Sequence, residues 1–269
     1  MIEIKCDVHT HTLYSRHAFS TIEENVRAAS EQGLELLATT DHYSPMLYPD
    51  YKNLRNYQYL CVSHLIPREW MGVSVLRGCE ADIVDLDGHL FGYDIPIRNN
   101  IDDDPYPDGE KSLLERVIKP MDYVIASVHR MSFTKDAGSR QCTELYLKAL
   151  EQPKVLILGH IGRTGLPLEL DPILLRAKEL HKLIEINEHS LCDEGEIPKR
   201  CREIAVRCAE LSVPISTGTD AHISFRIGKF DKVRSMLSEI RFPEELIATR
   251  SRESFLENLR AAGLSAKGC

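Results

Sequence analysis

Short apolar runs recur along the chain, each followed by a stretch with helical spacing. The runs fall at residues 2–8, 34–40, 74–79, 123–128, 155–159, 183–187 and 213–217. They are almost continuously apolar, as parallel strands are when helices cover one face and a packed interior covers the other. Amphipathic segments at 21–32, 110–118, 141–151, 172–181, 198–211 and 230–240 lie between or after them, with a further helix expected within 54–70. A last helix is expected over 251–262. Ser20, followed three residues later by Glu23, reads as the capping box that opens the first helix, and Gly33 marks its end. Residues 99–110 are polar and acidic with two prolines, the pattern of an exposed loop. No linker, low-complexity segment or repeat interrupts the alternation. The expectation is therefore a single α/β domain over residues 1–269, its β/α units closing into a barrel. Seven strands rather than eight make it a distorted (β/α)7 TIM-like barrel.

Composition narrows what such a barrel can do. Its 41 acidic against 33 basic residues give a formal charge of −8, which disfavours a general nucleic-acid partner. No apolar run approaches the ~18 residues of a membrane span, and the start has no signal-peptide profile, so a cytoplasmic location without membrane association is expected. The eight cysteines (Cys6, Cys61, Cys79, Cys142, Cys192, Cys201, Cys208 and Cys269) form no CxxC pair. Reduced, mostly buried thiols are expected, not a zinc ribbon or redox motif. Eleven histidines remain to be explained.

Their positions carry the argument. The first strand runs into Asp7-Val8-His9-Thr10-His11, with His17 close behind, and the second into Thr40-Asp41-His42. The third ends at Gly78-Cys79-Glu80, the fourth at Ser127-Val128-His129, the fifth at Gly159-His160 and the seventh at Thr219-Asp220-Ala221-His222. Parallel α/β barrels build their active sites at these carboxyl ends. His9 and His11 are two apart, so an extended segment turns both rings to one side; the same holds for Asp220 and His222. One such histidine is ordinarily a hydrogen-bonded surface or core residue. Seven histidines and two carboxylates at the ends of six strands are hard to assign to packing. Nine ligands exceed one site and suit two or three divalent ions, particularly if a carboxylate bridges. Nitrogen and oxygen donors without thiolate favour Zn²⁺, with Mn²⁺ or Fe²⁺ as alternatives.

These segments resemble the polymerase and histidinol phosphatase (PHP) family. The resemblance rests on His9-Thr10-His11, Ser15-Arg16-His17-Ala18, Thr40-Asp41-His42, Leu76-Arg77-Gly78-Cys79-Glu80, Gly159-His160 and Thr219-Asp220-Ala221-His222. It spans about the first 240 residues. Ile184-Glu185-Ile186-Asn187 and Gly228-Lys229-Phe230 are most similar to the YcdX-like phosphatases within the family. The resemblance implies a distorted (β/α)7 barrel, a trinuclear metal site and phosphoesterase activity. It also implies a ligand set: His9, His11, Glu80 and Asp220 for one ion, Glu80, His129 and His160 for a second, and His17, His42 and His222 for a third. After His160 the chain reads Ile161-Gly162-Arg163 where the subgroup tends to have Pro-Gly, a change in a loop bordering the pocket.

The expected reaction is hydrolysis of small phosphomonoesters by a metal-activated hydroxide, with Glu80, Asp220 and His222 as catalytic residues. Arg130 and Arg163 follow predicted ligands closely and are candidates to contact the phosphate of a small phosphorylated substrate; Arg16 and Arg226 flank ligand loops as well. Asp7 is the expected orienter of a ligand histidine. Tyr43, Tyr48, Tyr51, Tyr57 and Tyr59 can close over the pocket, although packing is the preferred reading. His189 is a weak candidate for lining the pocket, and His64, His89 and His181 match no motif. Histidinol phosphate is one plausible substrate. Alternative readings are a metal-dependent amidohydrolase, for which no strand-end lysine is present, a PHP-type nuclease and a non-catalytic metal-binding domain. Neither GxGxxG, a Walker A loop nor GxSxG occurs.

Overall fold

The computed structural model describes residues 2–266, so the terminal Cys269 lies outside the described residues. Seven strands follow one another in space in the order of the sequence: β1 (Cys6–Asp7), β2 (Leu36–Thr39), β3 (Val73–Asp82), β4 (Tyr123–Ser127), β5 (Val155–Leu158), β6 (Leu183–Asn187) and β7 (Ile215–Gly218). Every neighbouring pair along this path is parallel. The last strand meets the first through a bridge between Thr10 and Ala221. There the Asp220 amide donates to the His9 carbonyl (2.8 Å) and the His11 amide to the Ala221 carbonyl (2.9 Å). The nearly closed distorted barrel is thus sealed at two of the motifs singled out for chemistry.

The principal helices are α1 (Ile22–Glu31), α2 (Leu113–Ile118), α3 (Ser139–Ala149), α4 (Leu170–Glu179), α5 (Glu196–Leu211), α6 (Asp231–Glu239) and α7 (Arg252–Ala261). Outward strand residues such as Val124, Ala126, Ile184 and Ile186 pack with Leu145, Leu174 and Ile204 of this shell. Inward residues, among them Leu36, Leu76, Tyr123, Ile125 and Leu183, form a second core with Phe255, Leu256 and Leu259 of α7. Several of these begin their strands, so α7 covers the amino end of the barrel. Tyr123 donates across the interior to the Val8 carbonyl (2.6 Å). Among the described residues, no helix is long and apolar enough to cross a membrane.

Four local expectations change. The capping box of α1 is Thr21 with Glu24, one residue later than expected, because the Ser20 hydroxyl instead accepts the Ser224 amide (2.8 Å). The helix expected within 54–70 breaks into short turns at Leu54–Tyr57, Gln58–Cys61 and Ser63–Leu65. Pro67 cannot donate within a helix and restricts the residue before it. Glu69–Trp70 then pairs antiparallel with the start of β3 around Met71 and Gly72, both at positive φ, a tight hairpin. In the segment 110–118, helix α2 starts only at Leu113, capped by Ser112 and Glu115. The first run is strand only at Cys6–Asp7. Of the cysteines in the described residues, Cys6, Cys79, Cys142, Cys201 and Cys208 are buried, Cys61 is half-buried and Cys192 is exposed, all of them free.

Candidate metal centre

Strand β3 places the central carboxylate. It runs past Cys79 to Asp82, so Glu80 lies within the strand and not beyond its end. Leu76, Glu80 and Asp82 alternate onto the inner face, and a short strand, His42–Tyr43, sets His42 opposite Glu80. Glu80 is fully buried. One of its oxygens, Oε1, accepts from Ser127 (2.7 Å) and meets His160 Nε2 at 2.7 Å and His129 Nε2 at 3.3 Å. The other, Oε2, faces His42 Nδ1 at 2.8 Å, His9 Nε2 at 3.3 Å and His11 Nε2 at 3.5 Å. Asp220 Oδ1 lies 3.1 Å from His11 Nε2 and 3.8 Å from His9 Nε2. His222 Nε2 approaches His17 Nε2 to 2.9 Å, and the His222 ring stacks on His11 with centroids 4.2 Å apart. All nine predicted ligands therefore meet in one continuous group.

Other side chains hold these rings from behind. His9 Nδ1 bonds Glu185 Oε1 at 2.7 Å, and the same carboxylate accepts the His160 amide (2.8 Å). His129 Nδ1 bonds Asp82 (2.7 Å), while Ser44 donates to the other oxygen of Asp82 (2.5 Å). His11 Nδ1 bonds Ser15, which donates in turn to Asp41 (2.6 Å). Such partners fix ring orientation and tautomer. None of Glu185, Asp82, Asp41 or Ser15 was assigned this role from sequence. Two signals were available: Glu185 is a carboxylate set between the apolar residues Ile184 and Ile186 of a strand, and Asp82 shares a strand face with Glu80.

Packed together, these groups shift one another. Burial raises the Glu80 carboxyl, but His129, His9 and His42 outweigh it and hold its pKa well below the ordinary value. Burial acts likewise on Asp220, with His9 and His11 holding it low. Burial disfavours the His129 cation, yet Glu80 and Asp82 lift its pKa to about 10. His11 and His160 move the other way, burial being the first cause for each.

The donor set fits divalent metals. His9 Nε2, His11 Nε2, His42 Nδ1, His160 Nδ1 and Glu80 Oε2 are buried without a directional hydrogen-bond partner, a costly arrangement unless a ligand takes their lone pairs. Three clusters bring one donor atom from each member within 4.8 Å of the others: His9, His11 and Glu80; His42, Glu80 and His129; and His11, His42 and His222. The first lacks Asp220 of the set the resemblance implies, and the last two differ from theirs by one member each, with His42 in place of His160 and His11 in place of His17. The backbone is bent to reach this geometry. His160 and Asp220 adopt positive φ (29° and 55°), a conformation uncommon outside glycine that concentrates at functional sites. At Gly218 a Cβ would overlap that of His9 and lie 2.7 Å from Glu185 Oε1, so only glycine lets β7 approach.

The substrate candidates separate. Arg163 donates to Asp220 (2.9 Å), Asn187 (3.1 Å) and Ser190 (3.2 Å) and belongs to the group. Arg130 is exposed in an adjoining cavity of about 560 Å³ that it shares with Asp82. Arg16 is exposed beside the Tyr48 ring. Asp7 is a correction: it touches no predicted ligand. It accepts from the Thr219 amide (3.0 Å) and hydroxyl (2.6 Å) and from the Gly228 amide (3.1 Å), tying β1 to the loops around Asp220. Its burial raises its pKa to about 6. The tyrosines mostly pack: Tyr43, Tyr48 and Tyr57 cluster edge to face with Phe91 nearby, while Tyr59 donates to the His42 carbonyl (3.1 Å). His89 pairs with Asp85, and the exposed His189 lies 3.5 Å from Asp220 Oδ2.

A family model for the PHP domain matches residues 7–191. The chain belongs to the PHP family. A probable phosphatase of Clostridium acetobutylicum is 36% identical over 258 residues, covering 96% of this chain and 95% of that protein. One from Caldanaerobacter subterraneus subsp. tengcongensis is 35% identical over 251 residues, covering 93% and 89%. Among solved structures, histidinol phosphate phosphatase from Lactococcus lactis, complexed with Zn, L-histidinol and phosphate, shares the fold (TM-score 0.55, 20% identity, 89% of this chain and 94% of that one). A chain of the archaeal ribonuclease P structure with mature tRNA also shares it (TM-score 0.53, 13% identity, 94% and 90%).

Proposed function

We propose that this PHP protein is a metal-dependent phosphatase acting on small phosphomonoesters at a three-ion centre. The observation that carries the reading is the convergence of seven histidines on buried Glu80 and Asp220, with imidazole nitrogens left unpaired between them. Its relatives over nearly the whole chain are named probable phosphatases, which supports the same reaction class. Bound divalent ions of the Zn, Mn or Fe type would lower the pKa of water and neutralise charge on the transferred phosphoryl group.

The chain's own residues do the rest. Glu80, reached by five imidazoles, is the carboxylate that would hold more than one ion. Glu185 and Asp82 keep the Nε2 atoms of His9 and His129 turned toward Glu80 by engaging the opposite ring nitrogens. Arg163 anchors Asp220 and keeps further N–H groups for a phosphoryl oxygen, a planar donor suited to that contact. Histidinol phosphate belongs in the substrate panel as one member, since the likeness to histidinol phosphate phosphatase is one of fold.

The reading is tested by phosphate release over a panel of phosphomonoesters with wild type and Glu80→Gln. We expect turnover by the wild type and a loss of more than about 100-fold in the variant, which removes one anionic oxygen at the centre of the group. Full activity in Glu80→Gln would overturn the assignment.

A further inference from the structure

Beside the metal centre, the loops after β6 and β7 enclose a smaller cavity of about 290 Å³. Three cations, Arg226, Lys229 and Lys232, line it together with His189 and Phe225. Its wall includes Thr219, next to Asp220, and His189, whose Nδ1 lies 3.5 Å from Asp220 Oδ2. The cavity and the metal centre therefore share a border.

Several exposed basic residues elsewhere in the protein are paired: Arg55 with Asp103 (2.7 Å), Arg140 with Glu144 (2.9 Å), Lys199 with Glu196 (2.6 Å) and Arg202 with Glu239 (2.9 Å). Among the described residues, Arg226, Lys229 and Lys232 have no carboxylate within ion-pair distance, although acidic side chains outnumber basic ones in the chain. Two carboxylates do line the same cavity. Glu188 is engaged by the amides of Lys232 (2.9 Å) and Val233 (2.8 Å) at the start of α6, and Asp231 is exposed and pairs with none of the three. The Lys229 ammonium sits 3.1 Å from the Phe225 ring centroid, a cation–π contact that holds it at the cavity without neutralising it. The Gly228 amide, bonded to Asp7, fixes the loop that carries it.

We infer that this cavity is a second anion subsite, holding a carboxylate or a second phosphate on the leaving portion of the substrate. The inference rests on the phosphatase reading: the scissile phosphate lies at the metal centre and the second anion beyond Asp220, against Arg226, Lys229 and Lys232. It narrows the substrate class to phosphomonoesters that carry another negative group.

The test uses the metal-loaded enzyme and matched substrates: 4-carboxyphenyl phosphate, its neutral analogue 4-carbamoylphenyl phosphate, and hydroquinone bisphosphate. We expect kcat/KM for at least one charged member to exceed that of the neutral one by about tenfold or more, as for one charge-assisted contact. The bisphosphate and carboxylate arms distinguish the two anion types. In Lys229→Gln/Lys232→Gln, and independently in Arg226→Gln, the ratio should fall toward one, with product inhibition by 4-hydroxybenzoate or hydroquinone monophosphate weakening in parallel. Equal rates for all three substrates would overturn the subsite and leave the phosphatase reading standing, as would a preference that survives both variants. No hydrolysis of any phosphomonoester, in this set or the wider panel, would overturn both.

Discussion

At the amino end of the barrel, Leu76, Tyr123 and Leu183 meet Phe255 and Leu259 of α7 in a dry apolar cluster. Two to six residues further along the same strands, at ~3.3 Å per residue, the inner positions are Glu80 and Asp82 on β3, Ser127 on β4, and Glu185 and Asn187 on β6. One end satisfies the rules of stable packing. The other buries carboxylates and imidazoles, leaves donor atoms unpaired and holds two residues at positive φ. The same strands carry both, so stability is concentrated where the chemistry is absent, and the rigid lower barrel positions the polar upper one.

Mutations at the two ends should have separable effects. Phe255→Ala empties a fully buried aromatic site facing Tyr123 and should destabilise the fold by ~3–5 kcal/mol. Metal content and kcat per folded molecule should stay near wild type; denaturant unfolding and elemental analysis read the two quantities separately. Glu185→Gln is the counterpart. It weakens the partner of His9 and should cost ~10–100-fold in metal affinity or activity, while the unfolding midpoint moves little. A variant at either end that lowered both quantities equally would erase the distinction.

The smallest effect is expected outside both ends, where the exposed Asp108 pairs with the buried Arg116 (2.7 Å). Hydrogen bonds from Arg116 and Lys111 depress the Asp108 pKa from 3.8 to about 2. A depressed acid stabilises the fold above its unfolded pKa and loses that contribution as pH falls. The difference in unfolding midpoint between wild type and Asp108→Asn should therefore be constant above pH ~4 and shrink toward pH ~2. A difference that grew on acidification would contradict the assignment.

These contrasts also explain what was legible in the sequence. Strand order and the nine predicted ligands could be read because apolar runs and strand-end histidines are local patterns. The partners of the rings are long-range, as His9 meets Glu185 176 positions away and Thr219 meets Asp7 212 positions away. Asp7 departs from expectation for that reason: its carboxylate is occupied by Thr219 and Gly228, long-range partners that no local pattern announces. The boundary of α1 shifted by one residue because Ser20 found a tertiary partner in Ser224. The helix expected within 54–70 failed at Pro67 and the Met71–Gly72 hairpin, where local backbone restrictions outweigh amphipathic spacing. The cations beside Asp220 lie close together in sequence, at 226, 229 and 232, but the cavity itself is not legible there, since its other wall, with Glu188, His189 and Cys192, comes from a second segment that the barrel brings alongside.

Elemental analysis of the purified protein by inductively coupled plasma mass spectrometry, before any chelator is added, tests the metal centre most directly. Two or more equivalents of Zn, Mn or Fe per chain, falling in Glu80→Gln without loss of fold, is the expected result. Fewer than two equivalents in an active wild-type enzyme would contradict a three-ion centre, and fewer than two with no phosphate release would contradict the phosphatase itself.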